Sequence, residues 1–400
     1  MTPLLMSHFT ATSCIGRGLE ATLEALRAQR SGLVPCAFES VRLDAYVGEV
    51  PGVDEVRLPR ALKRFDCRNN RLAQLGLTAD GFVDSVAACA GRWGRRRVGV
   101  FLGTSTSGML ETELAYRRRD RATGALPAGF DYAGSHNSYS LAALARQALG
   151  LEGPSVVVSS ACSSSAKVFA TARRMIAADL IDAALVGGVD SLCLTTLYGF
   201  HSLQLVSPGP CRPFDLQRDG ISIGEAAAFA ILERPPASLD ADAILLLGVG
   251  ESSDAYHMSS PHPEGRGARA AMLQALERAS LEPEAIDYIN LHGTGTPSND
   301  SAEAKAVAAV FGQRERAVAG SSTKGATGHT LGAAGGLEAV ICALALTHEL
   351  LPGSANTERT DPALAFEYLR ANRHQPIARA LSNSFGFGGS NCALVLGRAT

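Results

Sequence analysis

The chain has 400 residues, 46% of them hydrophobic and 19% charged, with a formal net charge of −2. Such a chain fills one large or two ordinary globular domains of about 100–200 residues each, and its near-neutral charge excludes wholesale binding to nucleic acid or to an anionic membrane surface. The nine cysteines are scattered and form no Cys-x-x-Cys pair, so neither a structural zinc site nor a disulfide framework is expected, and a reducing compartment is. The N-terminus lacks a basic, apolar leader. No uncharged apolar run reaches the roughly 18 residues of a membrane helix, so a cytoplasmic chain with no membrane contact is the expectation.

Taken in order, residues 3–10 read as a strand and Leu19 to Arg27 as an amphipathic helix. The stretch from Pro35 to Pro59 is rich in turns. From Arg60 to Cys89 the pattern is helical, and Arg60, Lys63 and Arg64 fall at i, i+3 and i+4 on one helix face, either solvated or a dock for an acidic partner. Arg97 to Gly103 is a buried strand opening into the small-residue loop Thr104 to Met109. Arg117-Arg118-Arg119 reads as a solvated surface, and a helix over about Ser138 to Leu149 follows. Ser155 to Asp179 then passes from the β-branched run Val156 to Val158, through Cys162, into a helical pattern with Phe169 and Ile176. Ala183 to Asp190 is the next strand, and strand–helix–strand marks a right-handed parallel crossover. After the loop Cys211 to Gly220 an Ala-rich strand runs to Glu233.

The Pro-rich stretch from Arg234 is the best internal boundary, dividing residues 1–238 from 239–400. The second half repeats the plan. Strand Ile244 to Gly250, a polar loop to Gly267, a helix to Ala279, strand Ile286 to Leu291, a helix over Ser301 to Phe311, strand Ala317 to Ser321, the long apolar helix Leu331 to Leu346 and the strands Ala378 to Ser384 and Cys392 to Gly397 follow. Each half ends on a Gly-containing turn and a short apolar strand, which suggests a diverged duplication of one α/β unit. In such sheets ligands gather at the carboxyl ends of strands, where Cys162 and His292 both fall.

Cys162 sits where a strand gives way to a helix, and a helix start favours a thiolate; the plain alternative is a small buried apolar residue. Four glycine- or serine-rich loops stand out: Ser160 to Ser164, Leu291 to Pro297, Ser322 to His329 and Asn383 to Asn391. Two histidines in such loops, with a cysteine at a helix start, point to thiol-based acyl transfer. A phosphate-binding Gly-x-x-x-x-Gly-Lys motif is missing from the sequence. A metal site would need His292, His329 and a carboxylate such as Asp300. Only four of the 37 basic residues are lysines (Lys63, Lys167, Lys305 and Lys324), which singles out each of them, because Arg cannot imitate a compact, tunable ammonium.

Together these loops resemble the β-ketoacyl-acyl carrier protein synthases of the elongating class, which use Cys-His-His: Gly328-His329 follows Lys324 as it does there. The resemblance spans nearly the whole chain. It implies a thiolase-like α/β fold, two related halves in a five-layered αβαβα core, and a homodimer or a heterodimer with a related subunit. It implies an acyltransferase with no cofactor of its own, acting on chains carried by the phosphopantetheine arm of acyl carrier protein. By resemblance, Cys162 takes the acyl chain, and His292 and His329 stabilise the enolate of the decarboxylating malonyl unit. Cys162 and Phe387 supply the oxyanion N–H groups, and the Phe387 ring is a gate. Lys324 and Glu338 order the histidines and Asp300 supports them. Thr294 and Thr296 bind the phosphopantetheine, Thr106 sets the acyl pocket, and Arg60, Lys63 and Arg64 dock the carrier. Asp254 to Ser259 resembles a gating loop. Ser163-Ser164-Ser165 before Lys167 is an unusual start to the nucleophile helix and a candidate for what distinguishes the substrate, as is the Thr106 hydroxyl. A thiolase, with Cys392 as a second cysteine, is the reading from another class.

Overall fold

The computed structural model describes residues 1–399. The first half contributes β1 (Leu4–Ser13), α1 (Leu19–Arg27), α2 (Arg68–Leu77), α3 (Phe82–Trp93), β2 (Val98–Gly103), α4 (Met109–Arg117), α5 (Tyr139–Ala148), β3 (Ser155–Val158), α6 (Ser164–Ala177), β4 (Ala183–Asp190), α7 (Leu194–Ser202) and β5 (Ala226–Glu233). The second contributes β6 (Ile244–Ser253), α8 (Arg266–Ala279), β7 (Tyr288–Asn290), α9 (Pro297–Phe311), β8 (Ala319–Ser321), α10 (Ala334–His348), β9 (Arg379–Gly386) and β10 (Ser390–Arg398).

The duplication is visible in the strand order. The first half runs β3-β2-β4-β5-β1 and the second β8-β7-β9-β10-β6, the same third-second-fourth-fifth-first arrangement. In each half the first three neighbours pair in parallel and the last two pairings are antiparallel. The halves join where β1 meets β6, antiparallel, with Leu4 opposite Leu246.

Both faces of each sheet are covered, which is why the strands read as apolar runs and not as alternations. In β5, Ala226, Ala228, Ala230 and Leu232 face one core, while Ala227, Phe229 and Ile231 face another. The first core is the middle of the molecule, where α6 (Phe169, Ile176) packs on α10 (Leu337, Ile341) between the sheets. Outside, α2, α3 and α5 cover the first sheet through Leu72, Phe82 and Leu141. On the other side α8 and α9 cover the second through Met272 and Val307. The result is the αβαβα stack.

Leu331–His348 has a mean hydropathy of 1.5, enough by length and composition to cross a membrane, but 89% of it is buried inside the protein. The long helical pattern from Arg60 is in fact three pieces: a 3₁₀ turn at Arg60–Phe65, then α2, then α3. Asp80 and Gly81, with φ of 53° and 65°, break the path between the two helices.

The middle layer sets the stability of the whole. Phe169 is 1% exposed at its centre, so Phe169→Ala is expected to cost about 3–5 kcal/mol. An unfolding free energy, read from denaturant titration, that falls by less than a third of that would show that the two halves hold without their shared core.

Candidate active site

Cys162 lies between β3 and α6, two residues before the helix begins. The turn is tight: Ala161 is left-handed at φ 51°, a conformation that costs a non-glycine residue roughly 1–3 kcal/mol and persists only when surroundings hold it. The serines hold it. Ser164 Oγ donates to the Ala161 carbonyl at 2.5 Å and accepts the Ser160 N–H at 2.9 Å. Ser163 Oγ donates to the Ser160 carbonyl at 2.9 Å, and Ser165 Oγ accepts the Gly336 N–H of α10 at 2.8 Å. The unusual serine run is therefore internal scaffolding. Lys167 faces away, 3.7 Å from Glu251.

His329 precedes the turn into α10, and its Nε2 is 3.0 Å from Cys162 Sγ. His292, following β7, meets His329 edge-on with ring centroids 5.3 Å apart. All three side chains are buried. Burial pushes the Cys162 thiol up to about 12, against the Lys324 charge and the Phe387 backbone N–H, which both favour the thiolate. The helix start is thus outweighed by desolvation, and the resting thiol is protonated. Burial likewise holds His292 and His329 well below the usual imidazole range, with Lys324 adding to the effect. Both rings are neutral.

Lys324 is buried beside Glu338, the charge in the otherwise apolar α10, and its Nζ donates to Glu338 Oε1. Among the described residues it bonds neither ring, so it reaches the histidines through its field. Burial raises the Glu338 carboxyl to about 7 against the pull of Lys324.

A pocket is lined by Cys162, His292 and His329, with Thr294, Thr296 and Phe387 also among its walls. The two threonine hydroxyls bond each other at 2.9 Å. Gly386 lets the Phe387 turn approach, since a β-carbon there would lie 3.2 Å from the Cys162 nitrogen. The half-buried Phe387 ring packs at a tilt of 50° against Phe200, centroids 5.4 Å apart. That turn is tied to the loop Asp254 to Ser259: Asp254 N–H donates to the Gly389 carbonyl at 2.9 Å and Gly388 N–H to the Met258 carbonyl at 2.8 Å.

Other expected residues stand apart from the sulfur. Asp300 does not join the histidines; its Oδ1 accepts the Thr294 N–H at 3.0 Å and its Oδ2 the Phe214 N–H at 2.8 Å. It shapes the threonine loop, so the metal set with Asp300 does not form. Cys162, His292 and His329 do bring three ligand atoms within 4.8 Å of one another, beside the unfavourable Lys324 charge. Thr106 lies outside the pocket. Its hydroxyl donates to Asp190 at 2.8 Å and accepts the Ser191 N–H at 3.1 Å, so it is not free to meet a substrate. Arg60, Lys63 and Arg64 are exposed on the 3₁₀ turn. With three residues per turn, Arg60 and Lys63 share an edge and Arg64 points about a third of a turn away, where it meets Asp131 at 3.9 Å. Cys392 is buried in β10 and does not line the pocket.

Two site carboxylates escape a reading of the sequence. Asp190 accepts from Thr104, Ser105, Thr106 and Gly332, tying the Thr106 loop to the turn after His329. Glu303 accepts the His292 and Gly293 N–H groups, each at 2.8 Å, and Asn383 Nδ2 at 3.0 Å. Burial raises it to about 7. The signal for Glu303 is its i+3 spacing from Asp300 on α9; for Asp190 it is a lone charge ending an apolar strand.

Lys324→Met removes the charge that depresses both imidazoles and lowers the thiol. Glu338, released from its partner, stays protonated and neutral. The histidine titration midpoints are expected to rise and Cys162 alkylation at pH 8 to slow, read by ¹⁵N-histidine NMR and iodoacetamide mass spectrometry. Unmoved midpoints would show that Lys324 does not act through its field.

The sequence matches two family models, the β-ketoacyl synthase N-terminal domain over residues 78–237 and the β-ketoacyl synthase C-terminal domain over 244–358. It is 30% identical to 3-oxoacyl-[acyl-carrier-protein] synthase 2 of Vibrio cholerae over 403 residues, 96% of each chain. The same-named protein of Coxiella burnetii is 38% identical over 259 residues, 62% of this chain. That match spans 63% of the Coxiella protein's length. Among solved structures, a ketosynthase in complex with its chain length factor from Xenorhabdus doucetiae is 37% identical, with a TM-score of 0.89, covering 100% of this chain and 98% of that one. Matched by both family models and over 96% of its length by the Vibrio protein, the chain belongs to the β-ketoacyl synthase family.

Proposed function

We propose that this chain is an elongating 3-oxoacyl-acyl carrier protein synthase, an acyltransferase that lengthens a carrier-bound acyl chain by two carbons. The observation that carries the reading is the Cys162 sulfur 3.0 Å from His329 Nε2, with His292 alongside, all three lining one pocket.

An acyl chain enters as a thioester on the phosphopantetheine of acyl carrier protein. Thr294 and Thr296 line the path for that arm. Cys162 attacks the carbonyl and the carrier thiol leaves with the proton. The charge on the tetrahedral oxygen meets the backbone N–H groups of Cys162 and Phe387, donors that need no reorganisation at the moment of reaction. A malonyl thioester then occupies the same pocket. Its carboxylate leaves as carbon dioxide and the electron pair forms an enolate. Neutral imidazoles protonated at Nε2 donate to that enolate oxygen, and the Lys324 field keeps them neutral. The enolate carbon attacks the acyl-Cys162 carbonyl, and collapse expels the Cys162 thiolate and releases a 3-oxoacyl thioester. Glu338 balances Lys324, and Asp300 holds the threonine loop. The Phe387 turn and the Asp254 to Ser259 loop, bonded together, form the gate. Arg60 and Lys63, with Arg64 beside them, dock the acidic carrier.

A second arrangement is favoured by one finding: the 37% identical solved relative is a ketosynthase seated with its chain length factor. This chain then works as the catalytic subunit of such a heterodimer in the cytoplasm, and not as a homodimer. Size-exclusion of the purified chain alone, followed by an elongation assay, separates the two.

Cys162→Ala is expected to lose condensation, and acyl transfer to the protein should disappear from its mass spectrum; continued condensation would sink the nucleophile role. His292→Ala and His329→Ala should each slow malonyl decarboxylation by about 10²-fold or more, the scale of removing one oxyanion donor. Decarboxylation at the wild-type rate in both would end the enolate reading. Arg60→Glu with Lys63→Glu should raise KM for carrier-bound substrate with kcat unchanged. A KM that stays put places the carrier elsewhere.

A further inference from the structure

Behind His329 lies a buried ion pair that the chemistry above does not use. Arg68 opens α2 at 3% exposure, and Glu225, just before β5, is fully buried. Arg68 Nη2 donates to Glu225 Oε1 at 2.7 Å and Nε to Oε2 at 3.0 Å, the two-point fork that a lysine cannot make. The carboxylate also accepts the Val50 N–H at 2.9 Å and the Leu192 N–H at 2.8 Å. The Glu225 N–H donates to the Gly48 carbonyl at 3.0 Å. Nη1 and Nη2 of Arg68 reach on to Asp54 at 2.8 Å and Glu49 at 3.2 Å, nearer the surface.

Through its carboxylate and its backbone N–H, Glu225 thus gathers the chain at residues 48, 50, 68 and 192 onto the residues preceding it. Those residues grip the catalytic histidine on both sides. The His329 N–H donates to the Ser222 carbonyl at 2.7 Å, and the Gly224 N–H donates to the His329 carbonyl at 3.0 Å. The contact is close: a β-carbon on Gly224 would lie 2.2 Å from the Thr327 carbonyl oxygen. Among the described residues these two bonds, which form the isolated parallel bridge of Ile223 with His329, are the strand-like pairing of the His329 backbone.

We propose that Arg68 and Glu225 are a positioning pair: by fixing residues 222–224 they set where the His329 ring stands over Cys162. Neither touches substrate. A buried ion pair is weak support for stability, since apolar replacements often do as well, but it can specify register. Here the register is that of residues 222–224 against the His329 turn. The inference rests on the role of His329 proposed above.

Glu225→Gln keeps the size and one acceptor but loses the charge that holds the guanidinium. The turnover of malonyl decarboxylation should fall about 10- to 100-fold, the range that a displacement of around 1 Å produces. KM for malonyl carrier protein should hold, and the His329 ring ¹⁵N signals should move while those of His292 stay. Arg68→Lys, which retains the charge without the fork, should shift the same signals in the same direction, and it carries the test if Glu225→Gln does not fold. Wild-type turnover with an unmoved His329 signal overturns the proposal. So do equal shifts in both histidines with a raised KM, which mean general loosening. A wild-type protein without decarboxylase activity sinks the reading of the site instead, while the histidine spectrum still reports whether the pair places the ring.

Discussion

The site exists because α6 and α10 approach each other more closely than ordinary side chains allow. A β-carbon on Gly335 would sit 2.6 Å from the Ala166 β-carbon and 2.7 Å from its nitrogen, closer than real atoms pack. Ser165 Oγ closes the same junction by accepting the Gly336 N–H. At this crossing the beginnings of the two central helices meet, and each is preceded by a reactive group. Cys162 stands before one and His329 before the other. Bulk at residue 335 would part the helices and the 3.0 Å contact together, whatever became of the side chains themselves.

The same dryness that the close packing creates decides the protonation states. Cys162 rises because a thiolate has lost its water, and the imidazoles fall because imidazolium has lost its own. One buried cation, Lys324, pushes in a useful direction for all three: it lowers the thiol and keeps the rings neutral. It can remain buried because Glu338 meets it from α10. A nucleophile with a raised pKa suits a site where acyl transfer supplies the leaving proton's destination.

Much of this was legible from residue order. Cys162, His292, His329 and Lys324 lie in loops whose small residues announce close approach, and the loops fall after strands or before helices as the periodicity indicates. What escaped is what depends on three-dimensional closure. Arg60, Lys63 and Arg64 share a face only on an α-helix, and Pro59 leads them into a 3₁₀ turn. Thr106 looks like a free hydroxyl until Asp190, 84 residues away, claims it. Ser163, Ser164 and Ser165 look like a substrate feature and are ties within the turn and to α10. Asp190 and Gly336 are distant in sequence from Thr106 and Ser165, and local pattern has no access to them; the 3₁₀ turn and the serine ties within the Cys162 turn are local, but they depend on backbone geometry that residue types alone do not fix.

The duplication adds a last step. β3 leads to α6 and β8 leads, through Lys324 and His329, to α10, so the two halves place their third strand and central helix identically. The loops after the second strands correspond as well: Thr104 to Thr106 follows β2, and His292 to Thr296 follows β7. One copy of each loop pair carries chemistry that the other does not. The first half spends its second-strand loop on the Asp190 hub and its third-strand junction on the cysteine. The second half puts a histidine at both. The proposed reaction needs one nucleophile and two donors to a single enolate oxygen, and a symmetric pair of sites would supply neither set complete. The asymmetry therefore follows from bringing two like halves together at one pocket, where each equivalent position could be given a different part of one reaction.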